Sequence, residues 1–119
     1  MTDAEHLARR VETEEPSEEL RDAVLVWFGW ETPKTKFEFW SRPDGSPCHI
    51  RWLPNPLTNR DASAEIMPPG FKTNLDELTD GWFVFVYSQE GKGTVTAEAP
   101  TEPRARTAAA IRAKGMGSE

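Results

Sequence analysis

The feature that most constrains the fold is a run of large apolar residues in the second half of the chain. Residues 81–87 read Gly-Trp-Phe-Val-Phe-Val-Tyr, so every position after the glycine is apolar. A strand of this composition has no polar face to turn toward water, and both of its faces need covering. We therefore expect residues 81–87 to form the central strand of a sheet.

Shorter segments on either side predict the remaining strands. Residues 36–41 and 48–53 alternate apolar with polar side chains, as half-buried strands do. The segment 42–47 between them contains Pro and Gly at turn positions, so the pair predicts a hairpin. Residues 94–99 alternate in the same way after a Gly-containing turn at 88–93. They predict a partly exposed partner for the central strand.

Two amphipathic helices are predicted outside these strands. Ser17 is a typical N-cap residue, and the apolar spacing after it predicts a helix over residues 18–28 that stops at Gly29. A second helix is predicted over residues 102–114, with Gly115 as its stop. The apolar faces of the two helices are formed by Leu20, Val24, Trp27 and Phe28, and by Ala105, Ala108, Ala109 and Ile111.

The segment between the two hairpins, residues 56–80, predicts short helical structure. Two Thr-Asn-x-Asp sequences lie in it, and this pattern is typical of helix N-caps. We expect a short helix capped by Thr58 or Asn59. We also expect a single helical turn capped by Asn74, with the leucines that follow facing the core.

These elements predict an α+β fold. A chain of 119 residues has room for one core, and all twelve aromatic residues lie between Trp27 and Tyr87. We expect an antiparallel sheet of about four strands packed with N-terminal and C-terminal helices, for which an α/β/α sandwich is one arrangement. The predicted organisation is a polar, loose segment over 1–16, a single α+β domain over 17–115 and a tail over 116–119.

Charge and composition narrow the class of partner. The net charge is −6, and residues 1–30 and 61–99 each carry an excess of five acids. This balance disfavours nucleic acid and anionic membranes, which need clustered bases. The chain has no apolar run long enough for a membrane helix, no apolar signal-peptide core in its first residues, and one Cys, which excludes an internal disulfide. We expect a cytoplasmic protein with no membrane partner.

No set of residues has the spacing of a catalytic or metal site. Cys48 and His49 are neighbours on a predicted strand, so their side chains point to opposite faces. One Cys and two His are too few for a zinc site. Residues 91–94, Gly-Lys-Gly-Thr, resemble the end of a phosphate-binding loop, but Val86 stands where that loop needs a glycine. We expect no catalytic, cofactor-binding or metal-ligating residues, no cofactor and no enzymatic activity.

Two candidate binding surfaces remain. The first consists of acids at chain turns and helix starts, namely Glu14, Glu15, Glu18, Glu19, Asp76, Glu77 and Asp80. The alternative is an aromatic surface around Trp40 and Trp52. It belongs to a set that interleaves rings with bases, as single-strand nucleic-acid binders do: Lys34, Lys36, Phe39, Trp40, Arg42, Arg51 and Trp52. A small-ligand pocket between the sheet and residues 56–78 is a third possibility.

Short segments spread over most of the chain form a further pattern. They are LARRVE at 7–12, PSEELRDA at 16–23, GW at 29–30, PLTNRDA at 56–62, GW at 81–82 and TEP at 101–103. In this pattern the chain resembles a family of small phage and prophage proteins, the phage ABA-sandwich domain proteins. The resemblance implies a sheet between helices and no catalytic residues to carry over. The second Thr-Asn-x-Asp sequence departs from the family pattern.

Together, these observations predict a small non-enzymatic phage or mobile-element accessory protein that acts in the host cytoplasm by binding a protein. One version is counter-defence, in which the acidic surface occupies the basic groove of a host nucleic-acid enzyme. A structural or assembly component of the phage particle is one alternative. A binder of a small ligand or of single-stranded nucleic acid is the other, and the oligomeric state is left open.

Overall fold

Helices and strands are both present in the structure, which is therefore α+β, as predicted. A computed structural model describes residues 3–33, 38–91 and 93–117. Within these ranges, the elements in chain order are α1 (Asp3–Thr13), α2 (Glu18–Trp27), β1 (Phe39–Ser41), β2 (Pro47–His49), a 3₁₀ helix (Ile50–Trp52), α3 (Arg60–Glu65), β3 (Phe71–Leu78), β4 (Gly81–Ser88), β5 (Thr94–Ala99) and α4 (Glu102–Gly117).

Strand β4 is the central strand of an antiparallel sheet in the order β3-β4-β5, which confirms the prediction for residues 81–87. Its side chains alternate between two faces. Val84 and Val86 are fully buried in the core with the helices, whereas Phe83, Phe85 and Tyr87 are half-buried on the opposite face. The prediction that both faces are covered thus holds fully for the face toward the helices and only in part for the opposite face. We call the opposite side the outer face.

Helix α4 packs closely against the sheet because its buried side chains are small. Fully buried on it, as predicted, are Ala105, Ala108, Ala109 and Ile111. The helix contacts β4, β5, α1 and α3. Gly115 does not stop it: a Cβ added at Gly115 would lie 2.6 Å from the Cβ of Ala4 on α1. Glycine at this position therefore permits the close approach of the two helices.

Helix α1 occupies most of segment 1–16, which the sequence predicts to be loose. Its buried residues are Ala4, Leu7, Ala8 and Val11, and it packs along α4 and against β5. Large apolar residues are sparse in this segment, but small residues on α4 allow the alanines to complete the contact. The core thus includes α1. At the other end, α4 extends into the predicted tail 116–119, of which residues 118 and 119 lie outside the described ranges.

Helix α2 forms where the sequence predicts it. The Ser17 hydroxyl accepts a hydrogen bond from the backbone N–H of Leu20 at 3.1 Å, which satisfies one of the free donors of the first turn. Gly29 adopts a φ of 98° after the last turn, and the N–H of Trp30 donates to the carbonyl of Leu25 at 3.0 Å. This is the glycine-based termination that the sequence indicates. Leu20 and Val24 are fully buried.

The two Thr-Asn-x-Asp sequences have different structures. Asn59 caps α3, its side chain accepting from the N–H of Ala62 at 2.9 Å, as predicted. The predicted helical turn at Asn74 is wrong, because residues 71–78 form strand β3 and pair along their whole length with β4. Phe71 and Leu75 pack against the core from this strand. Pairing with the long apolar strand outweighs the local capping preference of Asn74.

The first predicted hairpin is present but forms a separate two-stranded sheet. The described strands thus make two sheets, of two and three strands, instead of the predicted single sheet of about four. Strand β2 ends at His49, and residues 50–52 form a 3₁₀ helix instead of continuing the strand to 53. The side-chain nitrogen Nδ1 of His49 accepts from the N–H of Arg51 at 3.1 Å and caps this turn. Residues 36 and 37 of the predicted first strand lie outside the described ranges.

Candidate functional site

Arg104 fixes where the C-terminal end of α1 lies. Its guanidinium donates to the backbone carbonyls of Val11 at 3.0 Å, Glu12 at 3.1 Å and Glu14 at 2.7 Å. These carbonyls lie at the end of a helix, where they have no partner within the helix, and a cation is favourable there. Arg104 is buried, so the end of α1 is held against the first turn of α4.

The two groups of predicted acidic site residues lie at the same end of the molecule. Glu14, Glu15, Glu18 and Glu19 follow α1 and begin α2, beside the first turn of α4. Asp76, Glu77 and Asp80 lie at the end of β3 and in the turn to Gly81. A Cβ on Gly81 would lie 2.6 Å from the carbonyl oxygen of Ala99, the last residue of β5 before α4. All seven acids are exposed, and we call them the acidic end.

Few of these acids are neutralised. Arg10 donates to Glu14 at 2.9 Å and lies 3.4 Å from Glu19. The hydrogen bond from Arg10 lowers the pKa of Glu14, so this carboxylate stays ionised. Across the described ranges, no ion pair includes the other five acids, Glu15, Glu18, Asp76, Glu77 and Asp80. Five of the seven carboxylates of the acidic end are therefore not neutralised by an ion pair within the described ranges.

The two tryptophans of the predicted aromatic surface differ in exposure. Trp40 is only 3% exposed, and Trp52 is 77% exposed. Trp40 pairs with the buried Cys48 across the hairpin, so both lie on its inner side. The exposed large apolar residues of the described hairpin and of the 3₁₀ helix that follows it are Phe39, Ile50 and Trp52. Trp40 is thus excluded from the surface, while Lys34 and Lys36 of the basic set lie outside the described ranges.

Cys48 and His49 point to opposite faces of β2, as predicted. The thiol of Cys48 is buried and its Sγ lies 3.6 Å from the backbone oxygen of His49. The ring of His49 packs edge-on to Phe39, with the ring centroids 5.2 Å apart. No group of three or more His, Cys, Asp or Glu side chains is arranged for a metal ion in ranges 3–33, 38–91 and 93–117.

An ionic cluster that was not predicted lies at the outer edge of β5. Arg112 on α4 donates to Glu12 at 2.7 Å and 2.9 Å and to both oxygens of Glu5 at 2.9 Å. These hydrogen bonds, led by those to Glu12, raise the pKa of Arg112, and the bonds from Arg112 lower the pKa of Glu5. Glu5 and Glu12 are seven residues apart in a helix, which places them on one face, and this spacing was the signal available in the sequence.

A surface cleft of about 930 Å³ lies beside this cluster, between the ends of α1, α4 and the edge of β5. Its lining includes Arg112, Trp27 and Phe83. The indole N–H of Trp27 has no hydrogen-bond acceptor among the described residues. The charge of Arg112 is balanced by two carboxylates, so the cleft does not present an unpaired cation to a ligand. It lies away from residues 56–78, where the sequence suggested a pocket.

Comparisons with protein-family models, with curated proteins and with solved structures gave no match to this chain. Among the helices of the described ranges, none has the length and apolar character needed to cross a membrane.

Proposed function

We propose that the acidic end binds a basic surface of a partner protein, and that the protein is a non-enzymatic accessory protein of a phage or mobile element that works in the host cytoplasm. A host enzyme whose groove binds nucleic acid is the partner that fits best, because such a groove presents the opposite charge. The observation that carries the proposal is the placement of two exposed acidic groups, far apart in the sequence, at the same end of the fold.

The geometry favours recognition through charge. All seven side chains are exposed, and five of them have no ion-pair partner across the described residues. Their field therefore extends into solvent and can accelerate encounter with a basic surface. The phage origin depends on the sequence resemblance alone.

The partner is to be captured from a lysogenic or infected host on the immobilised full chain and identified by mass spectrometry. A matched pair of variants tests the surface. Glu15→Lys with Asp80→Lys reverses one charge in each acidic group, at positions outside helices and strands. Glu38→Lys with Glu65→Lys makes the same change in net charge at exposed acids elsewhere.

We expect the first variant to reduce the association rate about tenfold or more, and the control to change it little, since charges near an interface act mainly on the rate of association. Binding of the wild-type chain should weaken as salt shortens the Debye length below about 10 Å. A partner that is insensitive to salt and to both variants would contradict the proposal. Capture of head or tail proteins would instead favour the role in particle assembly.

A further inference from the structure

The two edges of the three-stranded sheet β3-β4-β5 differ in whether other elements cover them. At the β5 edge, the carbonyl of Thr96 accepts from Arg112 and the N–H of Glu98 donates to Glu12, both at 2.9 Å. Strand β3 forms the other edge and, among the strands of the described ranges, pairs with β4 alone. Side chains thus block pairing at β5, whereas β3 keeps an unpaired edge in the described structure.

The covered edge also shows which backbone groups of β3 point outward. The backbone N–H and C=O groups of Thr96 and Glu98 point away from β4. Phe85 and Phe83, which pair with these residues, therefore point their own backbone N–H and C=O groups toward β3. These groups bond to the residues of β3 that pair with them, Asn74 and Asp76. The alternate residues, which point their N–H and C=O groups to the free edge, are Phe71, Thr73, Leu75 and Glu77.

A free edge of eight residues is a template for another strand. When two identical strands pair across a two-fold axis, they run antiparallel and each residue meets a fixed partner. If Asn74 lies on the axis, Phe71 is opposite Glu77 and Thr73 is opposite Leu75. These are the residues whose backbone groups point outward, so the hydrogen-bonding pattern is satisfied on both strands.

The same register brings opposite charges together. Lys72 lies opposite Asp76 of the second copy, and Asp76 opposite Lys72, on the outer face. Both side chains are exposed, and neither takes part in an ion pair or side-chain hydrogen bond within the described part of the chain. We infer that a second copy of this chain pairs with β3 in this register and gives a homodimer with a continuous six-stranded sheet.

Neighbouring registers lack this complementarity. After a shift by one residue, residues whose backbone N–H and C=O groups point to the free edge would face residues whose groups point toward β4. The hydrogen-bond ladder between the two copies could then not form. A shift by two residues sets Lys72 opposite Asn74 or Leu78, and neither has a negative charge. Cross-strand pairs of opposite charge stabilise a sheet, and directly opposed like charges destabilise it. The charge pattern of β3 therefore selects the register with Asn74 on the axis.

The dimer is independent of the proposed function. It uses Asp76 of the acidic end but leaves Glu15 and Asp80 outside the paired strands. Partner binding is tested at those two positions, and dimer formation is tested at Lys72, Asn74 and Asp76. Failure of either test therefore leaves the other intact.

Sedimentation equilibrium of the full chain over a wide concentration range tests the dimer. In the variant Asp76→Lys, residue 76 of each copy is a lysine that faces Lys72 of the other copy. In the variant Lys72→Asp, residue 72 of each copy is an aspartate that faces Asp76 of the other copy. Each single variant should raise the dissociation constant about tenfold or more, since two pairs per dimer become repulsive. The double variant Lys72→Asp with Asp76→Lys exchanges the charges and should restore dimer formation. Circular dichroism confirms that each variant is folded.

Cross-linking provides a second readout. Asn74→Cys places two thiols at a non-hydrogen-bonded pair, where the Cα atoms are about 4.5 Å apart and a disulfide fits. Lys72→Cys is the matched control, because its two copies lie four residues apart along the strands, about 13 Å. Oxidation should cross-link the first variant and not the second. A chain that stays monomeric, or a dimer that ignores the charge reversals and does not cross-link through residue 74, overturns the inference.

Discussion

The carboxylate of Glu12 on α1 is held by Arg112 of α4 at 2.7 Å and also accepts from the backbone N–H of Glu98 on β5 at 2.9 Å. One carboxylate thus joins three elements that lie far apart in the sequence. Glu5 completes the arrangement from the preceding turns of α1. The cluster fixes α1 against the core and covers the edge of β5.

Arg112→Met should lower the free energy of unfolding by about 2–3 kcal/mol, because hydrogen bonds between charged groups are lost and Glu12 keeps fewer partners. The arginine side chain is 14% exposed, so solvent replaces these bonds poorly. Arg9→Met is the control, since Arg9 also pairs with Glu5 but is 61% exposed. It should cost less than about 1 kcal/mol. Urea denaturation measures both, and equal losses would contradict the role of the cluster.

The stability difference between the wild-type chain and Arg112→Met should depend on pH. Arg112 lowers the pKa of Glu5 in the folded protein, so this interaction contributes stability above the unfolded pKa and is lost as pH falls through the folded pKa. The gap between the two proteins should therefore be constant near neutrality and narrow below about pH 4. Urea denaturation across this range measures the gap, and a gap that widens in acid would refute the assignment.

Val24 and Val26 provide a matched test of the buried face of α2. Val24 is fully buried and Val26 is 50% exposed. Val24→Asp places an unpaired carboxylate in the core and should cost about 3–5 kcal/mol. Val26→Asp makes the same chemical change at a half-exposed position and should cost less than about 1 kcal/mol. Thermal or urea unfolding distinguishes them, and similar losses at both positions would mean that the face is assigned incorrectly.

Local signals predicted the elements that do not depend on neighbours. Ser17 and Gly29 delimit α2, and the apolar run 81–87 gives the central strand, because caps and apolar runs act within a few residues. Strand β3 was not predicted, since Asn74 stands in the same four-residue pattern as Asn59. Only the presence of β4 beside it decides between helix and strand. Local sequence does not contain that information.

For the candidate site, the sequence predicted that its residues are exposed but not where in the fold they lie. The seven acids were selected as exposed, and the structure places each of them at the surface. Their placement at the same end depends on α1 lying along α4 and on Arg104 binding the carbonyl of Glu14, a contact across 90 residues. Trp40 and Trp52 were grouped by composition, but the 3₁₀ turn after His49 exposes Trp52 while Trp40 stays inside.

The fold should be independent of bound metal and of thiol oxidation. Cys48 is a buried free thiol, and the described residues hold no cluster with the donors of a metal site. The thermal unfolding midpoint should therefore be the same with and without EDTA, and with and without reductant. A fall in the midpoint on adding EDTA would reveal a metal that stabilises the fold. A fall with reductant alone would point to a disulfide between copies.

The contact between Ala4 and Gly115 should be visible as an energetic coupling. Glycine inside a helix is about 1 kcal/mol less favourable than alanine, so Gly115→Ala would stabilise an isolated α4. In the folded chain the added Cβ would lie 2.6 Å from the Cβ of Ala4. We therefore expect a net loss of about 1–3 kcal/mol, as for other overpacked sites.

Ala4→Gly removes the opposing methyl group, and the double variant transfers that group from α1 to α4. The double variant should lose about 1 kcal/mol or more less free energy of unfolding than the sum of the losses in the two single variants. Urea denaturation of the wild-type chain and the three variants measures this coupling. Gly45→Ala is a control for backbone strain, because Gly45 has a φ of 89° and open space around its Cα. It should be destabilised whether or not Ala4 is present. Additive effects at residues 4 and 115 would show that α1 and α4 do not approach as closely as this contact requires.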